Sequence, residues 1–240
     1  MRLFFAILLC KLVRLVLRLA GRGGTALPGK IALRVCPDML SRLARGVTTV
    51  MVTGTNGKTT TCRMLEQMAR DAGRDCFANR SGSNLERGIA ADFAANASLF
   101  GKPRRRFAVI ECDEAAFRRV CGEVKPAVAV VTNIFRDQLD RYGEVTHTLA
   151  GIREGLARSP ETRVCLNADC SLTSSLAPDA PDRVRFFGMD AALGEPPRSR
   201  TRPAASSAAL STSTTTTPSP TWAASAARSA ATPARSPTSP

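Results

Sequence analysis

The chain has 240 residues with 34 Lys and Arg against 20 Asp and Glu, a formal charge of +14. Those totals suit one basic globular domain only if composition is uniform, and between Pro196 and Pro240 it is not: 38 of 45 residues are Ala, Ser, Thr or Pro, with five Arg and no acidic residue. Such a segment cannot bury enough apolar surface to offset its chain entropy; without its five Arg, the remaining 29 basic and 20 acidic side chains fit the length of one α/β domain.

The N-terminal stretch MRLFFAILLCKLVRLVLRLAGR is apolar but broken by Lys11, Arg14 and Arg18, and its longest uncharged run, Leu3 to Cys10, is far short of the roughly 20 residues that span a bilayer. Basic residues recur through it instead of preceding a clean apolar core, which argues against a signal peptide. The pattern predicts an amphipathic helix that docks on the protein's own core or lies on an anionic membrane. After it, Gly21, Gly23, Gly24 and Pro28-Gly29 predict a loop, then a short helix near Ile31 to Leu43. The expected division is therefore an N-terminal helix and loop over 1–46, an α/β domain over 47–188, and a low-complexity tail over 189–240.

Within 47–188, β-branched runs at Thr48 to Thr53, Phe107 to Cys112, Ala127 to Thr132 and Arg163 to Asn167 predict buried strands. Between them lie helix-length segments, Lys58 to Ala72, Asn84 to Leu99, Glu114 to Val120 and Thr146 to Arg158. This alternation predicts a mainly parallel sheet with helices on both faces and ligands at the carboxyl ends of its strands. The eight Cys lie between Cys10 and Cys170 with no C-x-x-C pair, which gives neither a disulfide framework nor a complete zinc site and suits a reduced, cytoplasmic chain. His147, the single His, reads as an exposed helix residue. One Trp, one Tyr and no clustered Arg-aromatic surface argue against nucleic acid as a partner.

Chemistry-bearing residues gather at three strand ends. Gly54-Thr55-Asn56-Gly57-Lys58-Thr59-Thr60 follows the first strand and opens a helix, a shortened G-x-x-G-K-T relative of the P-loop. Two glycines allow the tight turn, successive N–H groups face an anion, and the helix N-terminus adds its positive end. Lys58 would reach the β- and γ-phosphates of ATP, and Thr59 would hold Mg²⁺. Glu111-Cys112-Asp113-Glu114 ends the second predicted strand, where carboxylates crowded together call for a cation. Glu111 is the expected Mg²⁺ ligand with Asp113 or Glu114 assisting; the alternative is an acidic helix cap. The third strand leads into TNIFRDQLDRYGE, which carries Asn133, Arg136 and Asp137 to the same crevice.

With GTNGKTTT, ECDEA and TNIFRDQLDRYGE in this order, the chain resembles the Mur ligase superfamily, and within it the MurT branch, the ligase-like subunits of lipid II isoglutaminyl synthases. GRGGTALPGKIAL, NRSGSNLERGIAAD and VCLNADCSL support the likeness, which covers roughly residues 11–188. The resemblance implies a P-loop Mur-ligase central domain that activates the D-glutamate α-carboxylate of lipid II with ATP as an acyl phosphate. Ammonia from a glutaminase partner of the GatD type, in a heterodimer, would then complete the amide. It also implies Thr59 and Glu111 as Mg²⁺ ligands, Asn133 and Asp137 near the nucleotide and metal, and Asn79, Ser81 and Asn84 on the acceptor side. A membrane-bound substrate would bring the basic N-terminal helix near the inner face of the plasma membrane. The alternatives are an amino-acid-adding Mur ligase or folylpolyglutamate synthase, and a non-catalytic ATP-binding remnant. Gln138 stands where many Mur ligases have His, and Cys170 where Asp is expected after Asn167-Ala168-Asp169.

The likeness ends near Gly188, where this family continues with a four-cysteine Zn²⁺ ribbon whose ligands are absent from the present frame. Taking the third base of each codon with the first two of the next, Ala204 to Ala209 becomes compatible with Cys-x-x-Cys-Gly and Ala226 to Arg235 with Cys-Pro-x-Cys-Gly. A shifted reading frame is thus the expectation for the tail, with a natural disordered linker as the alternative, and little amidating activity is expected of this chain by itself.

Overall fold

A six-stranded parallel sheet organises the computed structural model, which describes residues 1–21, 24, 26–79, 83–135 and 144–189. Three helices come first, α1 (Arg2–Leu19), α2 (Ala26–Val35) and α3 (Met39–Ala44). Strand and helix then alternate through β1 (Thr48–Thr53), α4 (Lys58–Asp71), β2 (Cys76–Ala78), α5 (Glu86–Asn96), β3 (Phe107–Glu111), α6 (Glu114–Val124), β4 (Val128–Val131), α7 (Glu144–Ala157) and β5 (Arg163–Asn167). A single turn, α8 (Ser171–Ser174), leads on to β6 (Val184–Phe187). The sheet order is β2-β3-β1-β4-β5-β6 with every neighbouring pair parallel. The expected α/β class is thus what the chain adopts, and the four predicted strands lie where the β-branched runs placed them.

The order has a switch point. From β1 the chain moves outward to β2 and back to β3, then crosses β1 to build the other half from β4. Crevices form at the carboxyl ends of strands where the winding reverses, here the ends of β1, β3 and β4. Side-chain alternation covers both faces: Met51, Ile110, Ala129 and Val131 pack into the large core beneath α5, α6 and α7, while Val52 and Val109 form a smaller cluster with Cys62 of α4. Residues buried on both faces explain why the strands read as continuous apolar runs.

Three sequence expectations need correction. From Ala26 onward the chain forms two helices where Pro28-Gly29 predicted loop and then one helix: α2 takes in Pro28 within its first turn, where the missing N–H costs nothing, and ends before Pro37, with α3 following. Gly29 is no punctuation mark but a contact point, since a Cβ there would sit 1.7 Å from the Arg87 carbonyl oxygen of α5. Two strands escaped the pattern, β2 because it has three residues and β6 because only Val184 of its four is buried. The first helix does dock on the core, through Ala6, Ile7 and Cys10, fixed by an Arg14–Asp92 ion pair at 3.0 Å and a bond from Lys11 to the Ala97 carbonyl. All eight cysteines are free, and His147 is exposed on α7. Ser81, Arg136, Asp137 and the tail from 190 onward lie outside the described residues.

Candidate nucleotide site

The loop between β1 and α4 turns on two glycines. Gly54 has φ +124° and Gly57 φ +81°, both in the region that L side chains rarely adopt. Gly54 also has no room: a Cβ would lie 2.3 Å from Thr132 Oγ1 and 2.7 Å from the Asn133 carbonyl oxygen. Gly57, by contrast, caps α4 with open space around it and no side chain to satisfy the first-turn N–H groups. Those donors have no carbonyl inside the helix, and at the positive end of α4 no capping side chain takes them up. The helix α6, which follows β3, differs in carrying its own cap, Asp113, whose carboxylate accepts from Ala115 N–H at 3.0 Å.

The end of β4 holds this loop in shape. The Thr55 N–H donates to the Asn133 carbonyl at 2.8 Å; the Asn56 N–H donates to Asn133 Oδ1 at 2.9 Å, and Asn133 Nδ2 returns a bond to the Asn56 carbonyl at 3.1 Å. Thr132 Oγ1 adds bonds to the Asn56 carbonyl at 2.8 Å and the Thr53 carbonyl at 3.2 Å. The Phe135 N–H reaches Thr55 Oγ1 at 3.2 Å. Asn133 therefore shapes the backbone of the turn, a positioning task. Thr132 was not singled out from the sequence; its role depends on β4 lying beside β1, which no local spacing reveals.

Lys58 and the carboxylates sort themselves into separate partnerships. The Lys58 ammonium bonds to the Gly54 carbonyl, to the Thr55 carbonyl at 3.1 Å and to Glu114 Oε2 at 3.4 Å, with both side chains mostly buried. Glu111 Oε2 accepts from Thr59 Oγ1 at 2.8 Å. Thus Glu114 pairs with the loop lysine and Asp113 caps a helix, which leaves Glu111 alone facing Thr59. This hydroxyl and carboxylate are hard oxygen donors of the kind Mg²⁺ takes. No group of three or more His, Cys, Asp or Glu gathers as a metal cage among the described residues, and Mg²⁺ bound with phosphates needs only one or two protein ligands.

Asn79 fixes the other side of Glu111. The Glu111 N–H donates to Asn79 Oδ1 at 2.8 Å, and Asn79 Nδ2 donates to the Glu111 carbonyl at 2.7 Å and the Ser83 carbonyl at 3.1 Å. The buried Asn79 amide is wholly engaged with backbone, while Asn84 enters the site through its carbonyl, which accepts from Asp113 N–H at 2.9 Å. Beside Glu111 a pocket of about 460 Å³ is lined by Thr59, Cys62, Arg63, Glu66, Asn79 and others. Burial, then the charges of Glu111 and Glu66, push the Cys62 thiol up to about 12, so it stays neutral and is no nucleophile near pH 7. Thr60 is exposed on the first turn of α4. Cys170 is buried, its thiol 3.8 Å from the Ile134 carbonyl.

A glycine turn between a parallel strand and an uncapped helix, with a lysine and a hydroxyl–carboxylate pair at the switch point, defines a P-loop α/β domain. Sequence comparison narrows the class. Residues 52–216 match the Mur ligase middle domain, running on past residue 188. The chain is 41% identical over 180 residues to the lipid II isoglutaminyl synthase subunit MurT of Streptococcus pneumoniae, covering 75% of this chain and 39% of that protein. It is 38% identical over 196 residues to the MurT subunit of Staphylococcus aureus, covering 81% and 44%. Its fold is similar to that of MurF from Acinetobacter baumannii, with a TM-score of 0.52 and 17% identity over 66% of this chain and 34% of that one. The chain belongs to the Mur ligase family, and it spans about two fifths of the length of the curated relatives it matches.

Proposed function

We propose that these residues are the ATP-binding part of a MurT-type subunit, which amidates the D-glutamate α-carboxylate of lipid II in peptidoglycan synthesis. The carrying observation is the Gly54–Thr59 turn, whose uncapped helix, lysine and Thr59–Glu111 pair stand at one strand end. The likeness to proteins named lipid II isoglutaminyl synthase supports the acceptor and the amide product. In this reading an oxygen of the carboxylate attacks the γ-phosphorus of ATP, the bond to the ADP oxygen breaks, and an acyl phosphate results. Ammonia from a glutaminase partner then attacks the acyl carbon, phosphate departs, and the nitrogen loses a proton. A carboxylate is a poor electrophile, so the protein's part is positioning and charge neutralisation, not a nucleophile of its own.

Each residue then has a task. The open N–H groups at Gly57 to Thr59 would hold phosphate oxygens, and Lys58 would move from the loop carbonyls and Glu114 onto the terminal phosphates. Asn133 and Thr132 keep the turn in register. Thr59 and Glu111 would hold Mg²⁺, which supplies neutralisation of the phosphate charge. Asn79 keeps the Glu111 backbone fixed, and the pocket beyond it suits the acceptor side. Asp113, as a helix cap, sets the start of α6.

Two measurements separate the parts of this proposal. Titration of the chain with a fluorescent ATP analogue is expected to show Mg²⁺-dependent binding that Lys58→Ala abolishes; equal binding by wild type and variant would refute the site. Amidation needs the whole assembly: lipid II, ATP, glutamine and a glutaminase subunit, with products analysed by mass. Ammonia incorporation supports the MurT-type reading, whereas addition of an amino acid would place the protein with the amino-acid-adding ligases.

A further inference from the structure

The first helix carries two apolar faces, and among the described residues only one is used inside the fold. Ala6, Ile7 and Cys10 are buried against the core. Phe5, Leu8, Leu12, Leu15, Val16 and Leu19 are 39–80% exposed. At 3.6 residues per turn those six side chains fall within an arc of about 100°, on the side away from the docked residues, and run roughly 20 Å along the helix. An apolar stripe of that extent marks an interaction surface.

A second element converges on the same flank. Phe100, in the turn after α5, is 82% exposed, and the Phe4 ring bridges it to the helix, 5.8 Å from Phe100 and 5.6 Å from Phe5. Further along, a groove lined by Lys11, Arg14, Leu15, Arg18, Ala95 and Arg104 borders the stripe. Arg14 is matched by Asp92 and Lys11 bonds the Ala97 carbonyl, with burial and then the charge of Arg104 pushing its ammonium down, while Arg18 and Arg104 are exposed. The helix contains no acidic residue, and none of the helices is long and apolar enough to cross a membrane among the described residues. An apolar stripe edged by a band of cations, on a helix that does not span, is complementary to an anionic lipid surface. A protein partner of ordinary composition would not require one sign of charge along the whole edge.

We propose that this face of α1 lies on an anionic phospholipid bilayer, with the stripe and Phe100 entering the acyl boundary and Arg18 and Arg104 meeting headgroup phosphates. The inference is independent of the nucleotide site. It is tested on the full 240-residue chain by flotation with neutral phosphatidylcholine vesicles and with vesicles containing about one third phosphatidylglycerol. Wild type is expected to float with the anionic vesicles, to stay below with the neutral ones, and to be released by high salt. Arg18→Glu or Arg104→Glu should weaken partitioning at least about fivefold each, and Leu12→Asn/Leu15→Asn at least about tenfold, with melting temperatures unchanged because these positions are exposed. As a readout that does not rest on loss, Leu15→Trp in a Trp222→Phe background should show a blue shift of emission on adding anionic vesicles only. Absence of anionic-vesicle binding, or a Leu12→Asn/Leu15→Asn variant that floats like wild type, overturns the proposal. So does oligomerisation without vesicle binding that the same variant dissolves, which would assign the face to a second copy of the chain.

Discussion

Gly54→Ala tests the turn at its tightest point. The substitution places a Cβ where φ is +124° and where Thr132 Oγ1 and the Asn133 carbonyl lie 2.3 and 2.7 Å away. Backbone strain at such a residue costs about 1–3 kcal/mol, and overpacking against atoms that cannot retreat adds about 1–3 kcal/mol. The sum, about 2–6 kcal/mol, is a large share of a domain's net stability. For a chain of this size it corresponds to a melting temperature roughly 5–20 °C lower. Thermal unfolding followed by circular dichroism, with nucleotide titration below the transition, reads both consequences. Gly151→Ala is the control: a Cβ there meets nothing within 4 Å in the middle of α7, so it should be neutral or stabilising by about 0.5–1 kcal/mol. Thr132→Ala added to Gly54→Ala should restore only part of the loss, because the Asn133 backbone still blocks the site. A Gly54→Ala protein that melts within a degree or two of wild type and binds nucleotide normally would refute the reasoning.

The other predictions follow from single contacts. Asn133→Ala removes the paired bonds to Asn56 and should cost about 1–3 kcal/mol, with weaker nucleotide binding measured by the same titration. Glu111→Gln keeps an acceptor for Thr59 but removes the charge, so calorimetry should show Mg²⁺-dependent nucleotide affinity reduced about tenfold or more with little change in melting. Burial, opposed by Arg14, holds the Asp92 carboxyl above the usual carboxylate range. The folded chain therefore binds more protons than the unfolded one between the two pKa values, and stability from this group falls as pH rises through that window. Melting temperatures between about pH 4 and pH 7 should show a slope that Asp92→Asn flattens. For the tail, the coding DNA across codons 188 to 240 should hold four Cys codons in the shifted frame; early stops there would leave a natural linker instead.

The glycine turn was legible because its geometry is local: Gly54, Gly57, Lys58 and Thr59 lie within one strand–loop–helix, so spacing alone carries it. The apolar runs of β1, β3, β4 and β5 were equally plain, since burial on both faces leaves no room for polar alternation. What the sequence could not assign was the division of labour among neighbours. Glu111, Asp113 and Glu114 look alike in a row; Asp113 caps its own helix by a contact two residues away, and only the packing of α4 against β3 sends Glu111 to Thr59 and Glu114 to Lys58. Asn133 is expected beside the nucleotide, but that it also braces the turn emerges only with β4 beside β1. Pro28-Gly29 reads as a loop until α5 approaches closely enough to require a glycine. The first helix shows the same limit: its sequence determined that it is amphipathic and basic, but which apolar side docks and which stays exposed depends on its packing against α2 and α5. Local spacing determines chemistry that one segment completes by itself; long-range packing decides every role that needs a partner from another strand or helix.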